Sequence, residues 1–111
     1  MQLARLGYAK NKKQKLELLV SASRKGLSWA QYELGDILLQ GLAKSSFEES
    51  ELKDHQKAGV YWLHKSALSG FKSSQKLLAE KLTHGIDGVL AADYEEAIKW
   101  SNLAKFQKVR L

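Results

Sequence analysis

Three histidines are the residues of this chain whose side chains most commonly bind metal ions. His55, His64 and His84 lie nine and twenty residues apart. Their spacing lacks the His-Glu-x-x-His or paired-cysteine context that gives metal sites their geometry. We therefore interpret them as surface or helix-end residues, and the sequence predicts neither a metal site nor a cofactor.

The remaining groups that could support catalysis have no recognisable arrangement. The chain has no cysteine, so thiolate nucleophiles, disulfides and thiolate metal sites are excluded. Neither a G-x-S-x-G elbow nor a phosphate-binding G-x-x-x-x-G-K-[ST] loop is present. Carboxylates cluster only at Glu48–Asp54 and Asp93–Glu96, where solvation and helix capping explain them more simply than acid–base chemistry. We expect that the protein is not an enzyme.

Composition predicts one all-α domain spanning residues 1–111. Of the 111 residues, 44% are hydrophobic and 27% are charged, which is close to the average of globular proteins. Proline, the strongest helix breaker, is absent, and β-branched residues are few beside leucine, alanine and lysine. The N-terminal stretch is a poor secretory signal, and no run approaches the roughly 18 apolar residues of a membrane span. We expect a soluble, cytoplasmic protein that does not enter a membrane.

The net charge of +6 is unevenly distributed, because the first 25 residues carry seven cations and a single acid, Glu17. Such a run has two interpretations. It is most often a solvated helix face, and it is less often a footprint for nucleic acid.

An internal repeat organises the chain. The stretch GLSWAQYELGDILLQG, Gly26 to Gly41, is followed by a segment with the same pattern at an offset of 44 residues. Small or apolar residues coincide at six pairs of positions: Gly26 and Gly70, Ala30 and Ser74, Leu34 and Leu78, Gly35 and Ala79, Leu38 and Leu82, and Gly41 and Gly85. A period of this length with helical spacing is typical of helical repeat arrays.

Periodicity and end signals predict five helices and no strand. The helices are expected near 12–25, 28–40, 55–69, 72–84 and 93–107, with a long loop over residues 42–53. Ser28 is predicted to cap the second helix with Gln31 as its capping-box partner, and Asp54 and Asp93 are predicted to cap the third and fifth. Trp62 and Trp100 are interpreted as fillers of a shared core rather than as binding aromatics.

Three segments together resemble the Sel-one-like repeat family. GIDGVLAADYEEAIKWSNLAK (85–105) is similar to the second half of such a repeat, while AQYELGDILLQG (30–41) and WLHKSALSG (62–70) are similar to its other parts. The resemblance implies a right-handed α/α superhelix related to tetratricopeptide repeats. It further implies about two and a half helix-turn-helix units, at approximately 1–26, 27–70 and 71–108, and a non-catalytic scaffold for protein partners.

If Gly35 and Ala79 occupy the small position of the first helix, as in tetratricopeptide-like units, the groove-facing residues follow by register. The second unit would contribute Trp29, Tyr32, Asp36, Leu39 and Gln40, and the third would contribute Ser73, Lys76, Glu80, Thr83 and His84. Aromatics beside charges of both signs are typical of a protein-binding surface. The alternative is that Trp29 and Leu39 simply pack against the preceding unit.

Three functions remain open at this point. The first is an adaptor that holds one protein or peptide partner of unknown identity. The second is an immunity or antitoxin-type protein that occludes a cognate toxin, and the third is a weak nucleic-acid binder acting through the basic N-terminal helix.

The last turn of the chain is apolar, because it contains Phe106, Val109 and Leu111. An array of fewer than three full units ends in faces that a further repeat or a polar cap would cover. We therefore expect either that the tail folds back as a cap or that two chains pack end to end as a homodimer.

Overall fold

A computed structural model describes residues 12–40 and 49–106. This part of the chain is all-α and contains five helices in the order α1 (Lys12–Arg24), α2 (Ser28–Gln40), α3 (Glu49–Leu68), α4 (Lys72–His84) and α5 (Tyr94–Phe106). The only strand-like pairing within the described residues is a single antiparallel bridge between Ile86 and Leu90, in the turn between α4 and α5. Each helix packs against the next one along the chain. The predicted all-α class is confirmed.

The start of α3 differs from the prediction. The helix begins at Glu49 rather than near residue 55, so Asp54 lies within the helix and does not cap it. The segment that was predicted to be a loop contains leucine, lysine and glutamate, which are good helix formers, and its acids favour a helix N-terminus. The rest of the predicted loop, residues 42–48, lies outside the described residues.

The 44-residue repeat is reproduced in the backbone hydrogen bonds that lead into α2 and α4. The amides of Ala30 and Gln31 donate to the carbonyl of Leu27 at 3.1 and 3.0 Å. At the start of α4, the amides of Ser74 and Gln75 donate to the carbonyl of Phe71, each at 3.1 Å. Identical bonding at the same offset confirms that the sequence repeat is also a structural one.

A glycine with positive φ ends each preceding helix. Gly26 has φ 92° and Gly70 has φ 95°, a conformation that residues with a side chain rarely adopt. The amides of both glycines donate to a carbonyl three residues earlier, at 3.0 Å. The same kind of turn therefore precedes α2 and α4.

The predicted capping box at the start of α2 is wrong. The amides of Ala30 and Gln31 bond to the carbonyl of Leu27, and the side chains of Ser28 and Gln31 bond to residues outside α2. Gln31 Nε2 donates to the carbonyl of Ser23 at 3.1 Å, and Ser28 Oγ lies 3.0 Å from Ser69 Oγ. The predicted cap of α5 is confirmed, since the amide of Glu96 donates to Asp93 Oδ1 at 3.1 Å.

Glycines allow α2 and α3 to approach closely. A Cβ atom added to Gly35 would lie 2.9 Å from the carbonyl oxygen of Gly59, and one added to Gly59 would lie 2.9 Å from the carbonyl oxygen of Gly35. In the following unit, Ala79 and Ala97 are both buried in one cluster. The second pair of helices therefore packs around alanines where the first packs around glycines.

The interior contains two adjoining clusters rather than the single core predicted for the tryptophans. Trp100 is buried with Leu78 and Leu82, whereas Trp62 is half-buried against the cluster that contains Leu19 and Leu34. Trp62 lies mid-helix on α3, and its surroundings differ from those of Trp100 because its neighbours come from α1 and α2.

A buried chain of hydroxyl groups joins α2, α3 and α4. Ser74 Oγ donates to Ser66 Oγ at 2.6 Å, and Ser66 Oγ donates to the carbonyl of Ser28 at 2.9 Å. The positions that precede Ser66 and Ser74 by 44 residues are Ala22 and Ala30. The pair of serine hydroxyls between α3 and α4 is therefore replaced by two alanines at the equivalent positions between α1 and α2.

Candidate protein-binding surface

The predicted groove residues of α2 differ in exposure. Trp29 is 49% exposed, which is unusual for a tryptophan beside a packed core. Tyr32 is half-buried, and its ring centroid lies 5.6 Å from that of Phe71 at an interplanar angle of 43°. Tyr32 therefore joins α2 to the start of α4, while Trp29 stays accessible.

Leu39 was predicted to face the groove, and this prediction is wrong. It is only 7% exposed and belongs to a buried cluster with Leu63 and Leu78. Its Cγ atom would lie 3.0 Å from a Cβ added to Gly59, so the missing side chain of that glycine provides the space that Leu39 fills. Leu39 is a core residue and does not line an open groove.

The polar residues of α2 form an acidic strip beside Trp29. Gln40 Nε2 donates to Asp36 Oδ1 at 2.8 Å, with Asp36 half-buried and Gln40 exposed. Glu33 is also exposed and lies one helical turn beyond Trp29. It was not among the predicted residues, although its i, i+4 spacing from the tryptophan could have identified it. The helix contains two carboxylates and no basic residue.

The corresponding side of α4 carries charges of both signs, from Lys76 and Glu80. Ser73, Lys76, Glu80 and His84 are exposed, as their predicted positions require. The fifth residue, Thr83, is half-buried, and its Oγ1 donates to the carbonyl of Ala79 at 2.8 Å. The helix contains three lysines and one glutamate, so its formal charge is opposite in sign to that of α2.

His84 also borders the turn that connects α4 to α5. An open depression of about 590 Å³ is lined by residues 84–92. The turn is closed by two hydrogen bonds, from the amide of Ile86 to the carbonyl of Leu90 at 2.7 Å and from the amide of Leu90 to the carbonyl of Ile86 at 2.8 Å. Asp87 is the one carboxylate among its lining residues, so the depression has no carboxylate pair for acid–base chemistry.

The histidines do not converge on a metal site. His64 lies near Glu96, with 3.9 Å between its Nε2 atom and Glu96 Oε2, and its ring packs edge-on against Trp100 at 5.7 Å. Glu96 Oε2 also accepts a hydrogen bond from Trp100 Nε1 at 3.1 Å. Over residues 12–40 and 49–106, no three histidine or acidic side chains are grouped as a metal ion would require.

No helix in the described part of the chain is both long enough and apolar enough to cross a bilayer. Comparison with known proteins gives no further information on function: no protein-family model, no curated protein and no solved structure matches this chain.

Proposed function

We propose that this protein is a non-catalytic scaffold or adaptor that binds a protein partner across the exposed sides of α2 and α4. The proposal includes membership of the Sel-one-like repeat family and the right-handed superhelical arrangement that such membership implies. The surface comprises Trp29, Tyr32, Asp36, Gln40, Lys76, Glu80 and His84, with Glu33 added and Leu39 removed.

The exposed Trp29 is the observation that carries the proposal. Tryptophan is the residue type most enriched among those that dominate binding energy in protein interfaces. Burying its exposed half against a partner would remove a large apolar area from water. Because Trp29 lies beside the carboxylates of Glu33 and Asp36, a cation of the partner could contact both the ring face and a charge.

The acidic side of α2 and the Lys76 side chain of α4 favour a partner with a matching charge pattern. A segment that is basic where it meets Asp36 and acidic where it meets Lys76 would be steered into one orientation. Tyr32 supports this arrangement because its ring contacts Phe71, the residue that immediately precedes α4.

The proposal is tested by capture from a lysate of the native host with matched variants. Trp29→Ala and Asp36→Lys should each reduce the amount of the specifically bound protein by about tenfold or more, which corresponds to about 1.4 kcal/mol. Tyr61→Ala is the control, since Tyr61 is a similarly exposed aromatic, 54% accessible, on α3.

A bound protein that is lost from both surface variants and retained by Tyr61→Ala supports the proposal. Retention by every folded variant contradicts it. The identity of the captured protein separates the adaptor from the immunity-type function, because only the latter would capture a toxin whose activity the binding suppresses.

A further inference from the structure

One face of α5 exposes two large apolar side chains to solvent. Tyr94 is 67% exposed and Ile98 is 60% exposed. Glu95, Asn102 and Lys105 are also exposed and fall on the same side of the helix by their spacing. We call these five residues the α5 face.

The preceding unit shows what covers such a face. α3 and α5 are equivalent second helices, in which Gly59 and Ala97 correspond at an offset of 38 residues. Ile98 then corresponds to Val60, which is half-buried and packs against the cluster that includes Leu78 of α4. One helical turn further along α3, His64 packs against Trp100 of α5, so this side of α3 faces the unit that follows. On α5 the equivalent side is open, so the α5 face has the geometry of a surface that receives another helix.

The charges of the α5 face are self-complementary in one arrangement. Glu95 lies near the N-terminal end of α5 and Lys105 lies near its C-terminal end, about 15 Å away along the axis. A second α5 laid antiparallel places each Glu95 beside the Lys105 of the other copy. A parallel arrangement would instead place like charges side by side.

We propose that the α5 face binds a second copy of this chain, with the two α5 helices antiparallel about a twofold axis. A twofold interface uses the same patch on both molecules. The α5 face can serve as such a patch because it carries opposite charges at its two ends. With Glu95 opposite Lys105, Ile98 lies opposite Asn102 of the other copy, so the two Ile98 side chains flank the twofold axis about 6 Å apart along the helices. Tyr94 lies level with Phe106 of the other copy, and the Glu95–Lys105 pairs fix the direction.

The interface is small, and the dimer should therefore be weak. One pair of 13-residue helices covers less surface than the roughly 1,600 Å² of a standard stable interface. We expect a dissociation constant in about the micromolar range.

The test is sedimentation velocity of the full chain across concentrations up to about 100 µM, well above the expected dissociation constant. The unchanged protein should convert from monomer to dimer. Ile98→Glu should weaken the dimer by at least about tenfold, because it introduces a charge at the centre of the contact. Leu103→Glu is the matched control: Leu103 is 52% exposed on the same helix but lies outside the α5 face, so its dimer should be unaffected.

A charge swap distinguishes the proposed geometry from a loss of folding. Lys105→Glu should weaken the dimer because it brings Glu95 of one copy next to a second acid. The double variant E95K/K105E should restore it, since the opposite charges are again paired. Circular dichroism should show unchanged helix content in all variants.

A chain that remains monomeric at about 100 µM overturns the proposal. That result would be expected if residues 107–111 or another protein cover the α5 face instead. A dimer that is insensitive to Ile98→Glu, or a charge swap that fails to restore association, also overturns it. None of these results bears on the surface around Trp29, which lies on α2.

Discussion

Replacing Gly35 with alanine tests the packing of α2 against α3 through the sign of the stability change. In the interior of an unobstructed helix, glycine to alanine stabilises by roughly 1 kcal/mol. Here the new Cβ would lie 2.9 Å from the carbonyl oxygen of Gly59 and 3.1 Å from the amide nitrogen of Leu63. Both obstructing atoms belong to the backbone, so a side-chain rotation cannot relieve the contact.

Overpacking of this kind costs about 1–3 kcal/mol, and the rigid obstruction favours the upper half of that range. After the gain in helix propensity is subtracted, we expect Gly35→Ala to lower the free energy of unfolding by up to about 2 kcal/mol. The midpoint of thermal unfolding should fall by roughly 4–8 °C for each kcal/mol lost.

Urea denaturation followed by circular dichroism measures the change directly. Ala79→Gly is the companion variant at the equivalent position of the next unit, where a methyl group is already accommodated. It should also destabilise, by roughly 1 kcal/mol or more, because helix propensity is lost and a buried methyl group is removed. An increase in stability on Gly35→Ala would refute the close approach of α2 and α3.

The remaining predictions concern the core and the serine junction. Trp100→Ala should lower the free energy of unfolding, measured by urea denaturation, by about 3–5 kcal/mol. Trp62→Ala should lower it by less, because the Trp62 ring is half-buried. Equal small losses for both variants would contradict the division of the core into two clusters. Leu39→Ala should lower the free energy of unfolding by about 2–5 kcal/mol, whereas the same substitution at a surface position would lower it by less than about 0.5 kcal/mol. Ser66→Ala alone should lower the unfolding midpoint, since it leaves the Ser74 hydroxyl buried without an acceptor. S66A/S74A should recover most of that loss, because alanines occupy both equivalent positions between α1 and α2. A double variant that is less stable than the single one would contradict this reasoning.

The repeat was predictable because its signals are local. Glycines at a fixed interval and leucines at helical spacing sufficed to place α2 and α4, whose bounds agree with the prediction. The start of α3 was missed because serines and acids near Glu49 are also typical of a loop, and packing rather than composition decides between the two states.

The candidate surface was less predictable, because exposure depends on which neighbouring residue leaves space. Leu39 was assigned to the groove from helical register alone, and its burial follows from the glycine opposite it on α3. The capping role predicted for Ser28 was wrong for a similar reason: its side chain bonds to Ser69, in the turn that follows α3, and local sequence cannot reveal that partner. Trp29, in contrast, is exposed, as its predicted position requires.

Photocrosslinking from position 29 tests the central claim most directly. A photoreactive phenylalanine analogue would replace Trp29 in one variant and Tyr61 in another, and each would be irradiated in a lysate of the native host. The account predicts a covalent adduct to a single partner protein from position 29 and none to that protein from position 61. An adduct formed from position 61 alone would place the partner on the face of α3 and would contradict binding across α2 and α4.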